Sequence, residues 1–261
     1  MSSNPKGPET GRRRSVFLPK EHGSWSLALE PVLLGMLAAP TLAGCGLALA
    51  TVSGFFARRP IRAALGSGTG GWAGSVAAAS LLCIAAAVGI AVSAALGGPG
   101  SLWPLGLSLA PCGLFLWFDL RGDSRTPAAE IAGAVAFAFV PAAFATLAGR
   151  PPAVALALAA TMLSRSVPAV LVVREYLRRR KGGRRSWAPL GFALLSAGAM
   201  VGLSAAGTVN SWVLPIVLLM FTRYAFLLLS SEQPRSARRL GTSEAVLGIA
   251  YILGVALAFC S

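Results

Sequence analysis

Apolar residues run along this chain in about nine continuous stretches, each about 17–25 residues long, the length that crosses a bilayer as a helix. They fall near 22–39, 41–57, 72–96, 101–118, 128–148, 152–173, 187–206, 210–229 and 242–260. None shows the alternation of a membrane β-strand. A backbone in hydrocarbon must pair its own N–H and C=O groups, which a helix does within one segment. The pattern therefore predicts an all-α, single-chain membrane bundle of about nine transmembrane helices. A basic cytoplasmic segment, 1–20, precedes a helical domain, 21–261. The first two spans part only at the turn near Ala39 and Pro40.

Polar positions set the orientation. The basic residues gather in alternate connections, around Arg12–Arg14, Arg58–Arg62, Arg121–Arg125, Arg174–Arg185 and Arg223–Arg239; of the 23 lysines and arginines only Arg150 and Arg165 fall elsewhere. Cytoplasmic connections are enriched in such residues. The expectation is a multi-pass protein of the cell (inner) membrane, with a cytoplasmic N-terminus and Ser261 outside. An even number of spans would break the alternation.

Composition agrees: 55% of residues are hydrophobic, 12% are charged, and mean hydropathy is +0.69. That excludes a water-soluble enzyme, a disordered tail and a disulfide scaffold. A net charge of +14 would suggest nucleic-acid binding in a soluble chain. Here its distribution assigns it to orientation and to contact with anionic inner-leaflet lipid, and no nucleic-acid motif accompanies it. The Arg178–Arg185 run reads either as a site for acidic lipid headgroups or as a topology signal. Cys45, Cys83, Cys112 and Cys260 have no CxxC partner or nearby histidine, and read as small buried hydrophobes. No cleavable signal peptide is expected, because the apolar run after residue 20 is too long.

Ionisable groups at membrane depth are functional candidates by default. Span 1 carries Glu21, His22 and Glu30, and span 4 ends at Asp119. Span 5 carries Glu130, and span 6 carries Arg165, Arg174 and Glu175. Span 8 ends near Arg223 and Tyr224, and Glu244 opens span 9. All are expected in the inner half of the membrane. The functional reading is a polar cavity open to the cytoplasm, in which Arg165, Glu30, Glu130 and Glu244 balance one another's charge. The structural alternative is interhelical ion pairs, with Glu130 and Glu244 at helix starts favoured by the dipole.

The most distinctive stretch is Pro19-Lys20-Glu21-His22-Gly23-Ser24-Trp25, which holds the only histidine. His22 is a candidate general base, proton relay or axial haem ligand; alternatively Lys20, His22 and Trp25 are interfacial anchors. There is no GxSxG elbow and no Walker loop, and the glycines of 66–71 read as a flexible cytoplasmic connection.

That stretch resembles the hallmark of the YwiC-like family of bacterial membrane proteins. The resemblance extends through Phe56-Ala57-Arg58-Arg59-Pro60, Ala129-Glu130-Ile131-Ala132-Gly133 and Leu240-Gly241-Thr242-Ser243-Glu244. It implies no established biochemistry. Nine spans, with Arg58-Arg59-Pro60-Ile61-Arg62 before span 3 and Arg121 to Gly133 entering span 5, also look like the UbiA superfamily of intramembrane prenyltransferases. That second resemblance implies a UbiA-like topology and an isoprenoid ligand. In that superfamily, aspartate-rich motifs near helices 2 and 6 hold Mg2+ and a prenyl diphosphate. Here the matching places read Ser53-Gly54-Phe55-Phe56-Ala57-Arg58 and Arg174-Glu175-Tyr176-Leu177-Arg178. Magnesium needs hard oxygen ligands, so no Mg2+ is expected, although arginines can hold a phosphate or carboxylate without metal.

Three functional expectations follow. The first is a UbiA-like protein that binds or modifies an isoprenoid, quinone or other anionic amphiphile. Its head would meet Arg58, Arg62, Arg165 and Arg174, and His22 with Glu21 or Glu30 would handle protons. The second is a transporter or exporter of a small solute. The third is a non-catalytic assembly factor or a haem-associated one.

Overall fold

The computed structural model describes residues 22–66, 72–230 and 237–260, the side chains of 22–24, 237, 238 and 260 excepted. The segment 1–20, Glu21, the His22 and Cys260 side chains and the connection 67–71 lie outside the described residues. Ten α-helices follow: α1 His22–Ala38, α2 Leu42–Leu65, α3 Trp72–Gly97, α4 Trp103–Leu120, α5 Pro127–Ala138, α6 Val140–Leu147, α7 Pro152–Arg180, α8 Ala188–Ala205, α9 Val213–Leu229 and α10 Ala237–Cys260. One 3-10 turn, Pro99–Leu102, leads into α4. Among the described residues there is no strand.

Every apolar stretch of the sequence is a helix or, once, a broken pair. α5 and α6 form a single span interrupted at Phe139. Pro141 has no N–H to give the Phe137 carbonyl, and the Phe139 N–H bonds that carbonyl instead. Among the described residues, six segments are long and apolar enough to cross a membrane, and Trp25–Ala38 and Val213–Leu229 are shorter apolar helices. The protein is a multi-pass helical membrane bundle. Leucines such as Leu81, Leu109, Leu195 and Leu257 point outward from it, as a lipid-facing surface requires.

Some boundaries differ from the hydropathy reading. α2 continues through Arg58, Arg59 and Arg62 to Leu65, and α7 through Arg174 to Arg180. These arginines end the apolar run but not the helix, because long side chains carry their charge off an apolar stem. Cys45 and Cys83 are exposed on the outward surface and Cys112 is partly so, which corrects the buried reading for those three. In a bilayer the outward face is as apolar as the core, so hydrophobicity does not report burial.

The centre of the bundle is α7, which touches α5, α6, α8, α9 and α10, with α1 against α2, α5, α6 and α10. Small residues bring helices close. Between α2 and α3, a Cβ on Gly46 would lie 2.7 Å from the Gly89 carbonyl oxygen, and Ser93 Oγ donates to Ala43 O at 2.8 Å. α2 itself starts cleanly because Thr41 Oγ1 accepts the Gly44 N–H at 2.9 Å.

Candidate functional site

Among the described residues, the charged groups inside the spans gather at three separate places, besides Glu175, which pairs with Arg178 at the end of α7. The deepest is centred on Arg165 of α7, whose side chain is only 3% exposed. Its Nη1 donates to Tyr224 Oη of α9 at 3.0 Å, and its Nη2 to the Glu244 carbonyl of α10 at 2.9 Å. The Glu30 and Glu244 carboxylates each lie 3.6 Å from the guanidinium. Glu244 is also held by Arg223 at 2.9 Å, and Arg223 reaches Ser243 Oγ at 2.8 Å. Two arginines and two glutamates thus make a neutral set joining α1, α7, α9 and α10. Gly248 of α10 makes room for it, since a Cβ there would collide with the Glu30 carboxylate. One turn of α7 earlier, Tyr251 Oη donates to Thr161 O at 2.7 Å and meets Ser164 Oγ at 3.1 Å. The adjoining void, bordered by Ser164, Ser196, Tyr224 and Tyr251, measures about 10 Å³, the space of one water.

The second place joins α2 to α4. Asp119 faces Arg62 Nη1 at 3.5 Å and Arg58 Nε at 4.0 Å. The Arg58 guanidinium lies 4.8 Å from the Phe55 ring centre and 5.0 Å from that of Phe115. Two cations therefore share one carboxylate between aromatic walls. Arg58 Nε has no hydrogen-bond acceptor among the described residues. Trp25 of α1 packs edge-on against Phe56 of the same α2 turn, their ring centres 5.4 Å apart.

The third place pairs Glu130 of α5 with Arg174 of α7 at 2.7 Å, and Arg174 also donates to the Arg125 carbonyl at 2.8 Å. One expectation is corrected here. Glu130 does not balance Arg165: Arg174 stands nine residues further along α7, about 13 Å at about 1.5 Å per residue, and that is the depth α5 reaches with its first turn. The ionisable groups close on one another in small ion-paired sets, whereas the sequence suggested a chamber between them.

The larger opening is apolar. A lateral groove of about 500 Å³ runs between α2 and α3 and reaches α4, bordered by Leu47, Ala50 and Thr51, by Ala87 and Ile90, and by Leu105. Sequence reasoning missed it, yet its signal is present. Leu47, Thr51, Gly54, Arg58 and Arg62 recur at helical spacing and share one face of α2. Gly54 has open space where a side chain would stand.

Nothing among curated proteins or solved structures matches the chain. Residues 18–145 match the family described as YwiC-like protein. The match takes in the distinctive Pro19–Trp25 stretch, Glu30, the whole α2–α4 groove and the Arg58–Arg62–Asp119 site, and over these residues the chain is similar to the YwiC-like family.

Proposed function

We propose that this protein binds the anionic head of a membrane amphiphile, of the isoprenoid, quinone or polar-lipid class, at Arg58 and Arg62, with the tail in the α2–α3–α4 groove. The observation that carries this reading is the single face of α2. It bears two arginines against one carboxylate at its C-terminal end, open space at Gly54, and the apolar groove beyond. Thr51 lies seven residues before Arg58, about 10 Å away along the axis. A head on the arginines therefore places its chain directly in the groove, whose volume suits a small lipidic ligand. Guanidinium groups bind phosphate and carboxylate with paired hydrogen bonds. The aromatic walls strip water from Arg58, which strengthens that attraction. The arrangement is UbiA-like in holding a head at the inner side and a tail between helices, and it needs no metal.

The test is native mass spectrometry of lipids that co-purify with the full chain. Wild type is expected to carry one amphiphile. R58Q/R62Q should lower its occupancy at least tenfold by removing the charge. Gly54→Leu should do the same by filling the groove with both arginines intact. Equal occupancy in all three proteins would overturn the proposal.

The reading also fixes an orientation, with the N-terminus cytoplasmic and the C-terminus outside the inner membrane. The supporting feature is the alternation of basic connections. A fluorescent reporter that matures only in the cytoplasm should light when fused after Gly182 and stay dark when fused after Ser261. The reverse result would invert the topology and move the headgroup site to the outer leaflet.

A further inference from the structure

The connection between α7 and α8 is far more ordered than a topology signal demands. A run of positive charge orients a span whether or not it folds. Here the run is built around Glu175, which is 4% exposed on the last turns of α7. Its carboxylate accepts two bonds from the Arg178 guanidinium to Oε2, at 3.0 and 2.8 Å, and the Ser186 N–H to Oε1 at 2.8 Å. Arg178 also bonds the Arg184 carbonyl, tying the two ends of the connection together. Gly182 turns the chain with φ of +83°, which a side chain resists. Gly183 lies so close that a Cβ there would come within 2.8 Å of Arg178 Cγ.

The neighbouring arginines face the protein. Arg179 donates to the Leu228 carbonyl at the end of α9 at 2.6 Å, and Arg185 bonds the same oxygen. Arg185 also lies 4.8 Å over the Trp187 ring, and that ring is largely exposed at the start of α8. Trp187 is the kind of residue that settles at a membrane interface. What remains outward is Arg180, Lys181 and Arg184. All three are exposed, and among the described residues their side chains meet no acceptor.

We infer that Arg180, Lys181 and Arg184, presented by the Glu175-centred loop beside Trp187, form a binding site for the phosphodiester of an anionic phospholipid headgroup in the adjacent leaflet. The loop has spent its inward donors on Glu175 and on Leu228 O. The outward three are held together on a short, glycine-turned segment instead of trailing in water. A fixed cluster of cations loses less conformational freedom on binding than a flexible one, and near an anionic leaflet each cation adds attraction. The indole fixes the depth at which a phosphate sits. This site is independent of the amphiphile groove, which lies on α2, α3 and α4.

The test titrates the purified full chain with phosphatidylglycerol, phosphatidylcholine and inorganic phosphate, read by native mass spectrometry. Wild type is expected to retain one phosphatidylglycerol about tenfold more strongly than phosphatidylcholine. R180Q/K181Q/R184Q should abolish that preference. R58Q/R62Q should keep it, which separates this site from the groove. The decisive variant is Glu175→Gln. It removes one negative charge and so makes the loop one unit more positive, so charge alone would tighten binding; loss of the Arg178 and Ser186 anchor should instead reduce the preference severalfold. Unchanged preference in the triple variant overturns the site, and tighter binding by Glu175→Gln overturns the role of the folded loop. Displacement of the lipid by equimolar inorganic phosphate would overturn the lipid assignment in favour of a free-phosphate site.

Discussion

Replacing Arg165 by methionine is expected to lower the stability of the bundle by about 3–5 kcal/mol, the usual cost of stripping one partner from a buried ionic set. Glu244 would keep Arg223 at 2.9 Å. Glu30 would not be so fortunate, since among the described residues its carboxylate has only Arg165 as an ion-pair partner, at 3.6 Å, and it sits at the midpoint of α1. The variant strands one negative charge in hydrocarbon-like surroundings and removes the hydrogen bonds to Tyr224 Oη and the Glu244 carbonyl. The same reasoning predicts a rescue. In R165M/E30Q the remaining Arg223–Glu244 pair is neutral by itself, so most of the loss should return. Reversible unfolding in mixed micelles, followed for wild type, the single variant and the double, measures both steps. A double variant no more stable than R165M would show that Glu30 is not held by Arg165.

How much of this was visible in the sequence depends on what sets each feature. The spans were visible because hydrocarbon thickness sets their length and the backbone allows only helices there. All nine apolar stretches recur as described helices or, for 127–147, a broken pair. The helix ends were less visible at Arg58–Leu65 and Arg174–Arg180, because arginine ends hydropathy without ending hydrogen bonding. The depth of Arg165 and Glu30 was legible as charge inside an apolar run, and the structure joins them. The partner of Glu130 was not legible. Pairing follows from the relative height of α5 and α7, which no residue count within either helix fixes. Tyr251, Ser164 and Gly248 also escaped notice, because an isolated tyrosine, serine or glycine in a span looks like ordinary packing until the opposite helix is known. The groove needed the same knowledge: Ala87, Ile90 and Leu105 border it only because α3 and α4 turn those faces toward α2.

Phe144→Ala should destabilise the protein by about 3–5 kcal/mol, the range for removing a buried phenyl ring. Phe144 of α6 is fully buried, and its ring occupies space left by glycines on two other helices. A Cβ on Gly35 of α1 would overlap the ring, and one on Gly44 of α2 would lie 2.9 Å from it. The ring is therefore the knob that seats α6 against both α1 and α2. The lipid outside does not replace the lost contacts, because the void lies inside the bundle. Gly35→Leu should fail for the opposite reason, forcing the ring out and costing about 1–3 kcal/mol or more through overpacking. Gly54→Leu is the control, since nothing lies within 4 Å of its absent Cβ. It should leave the unfolding transition near that of wild type while blocking the amphiphile groove. Thermal unfolding of the three variants in one detergent compares them directly. If Phe144→Ala and Gly54→Leu unfold together, the ring does not seat α6 against α1 and α2. If instead Gly54→Leu alone unfolds early, its lost ligand occupancy reports a damaged fold rather than a filled groove.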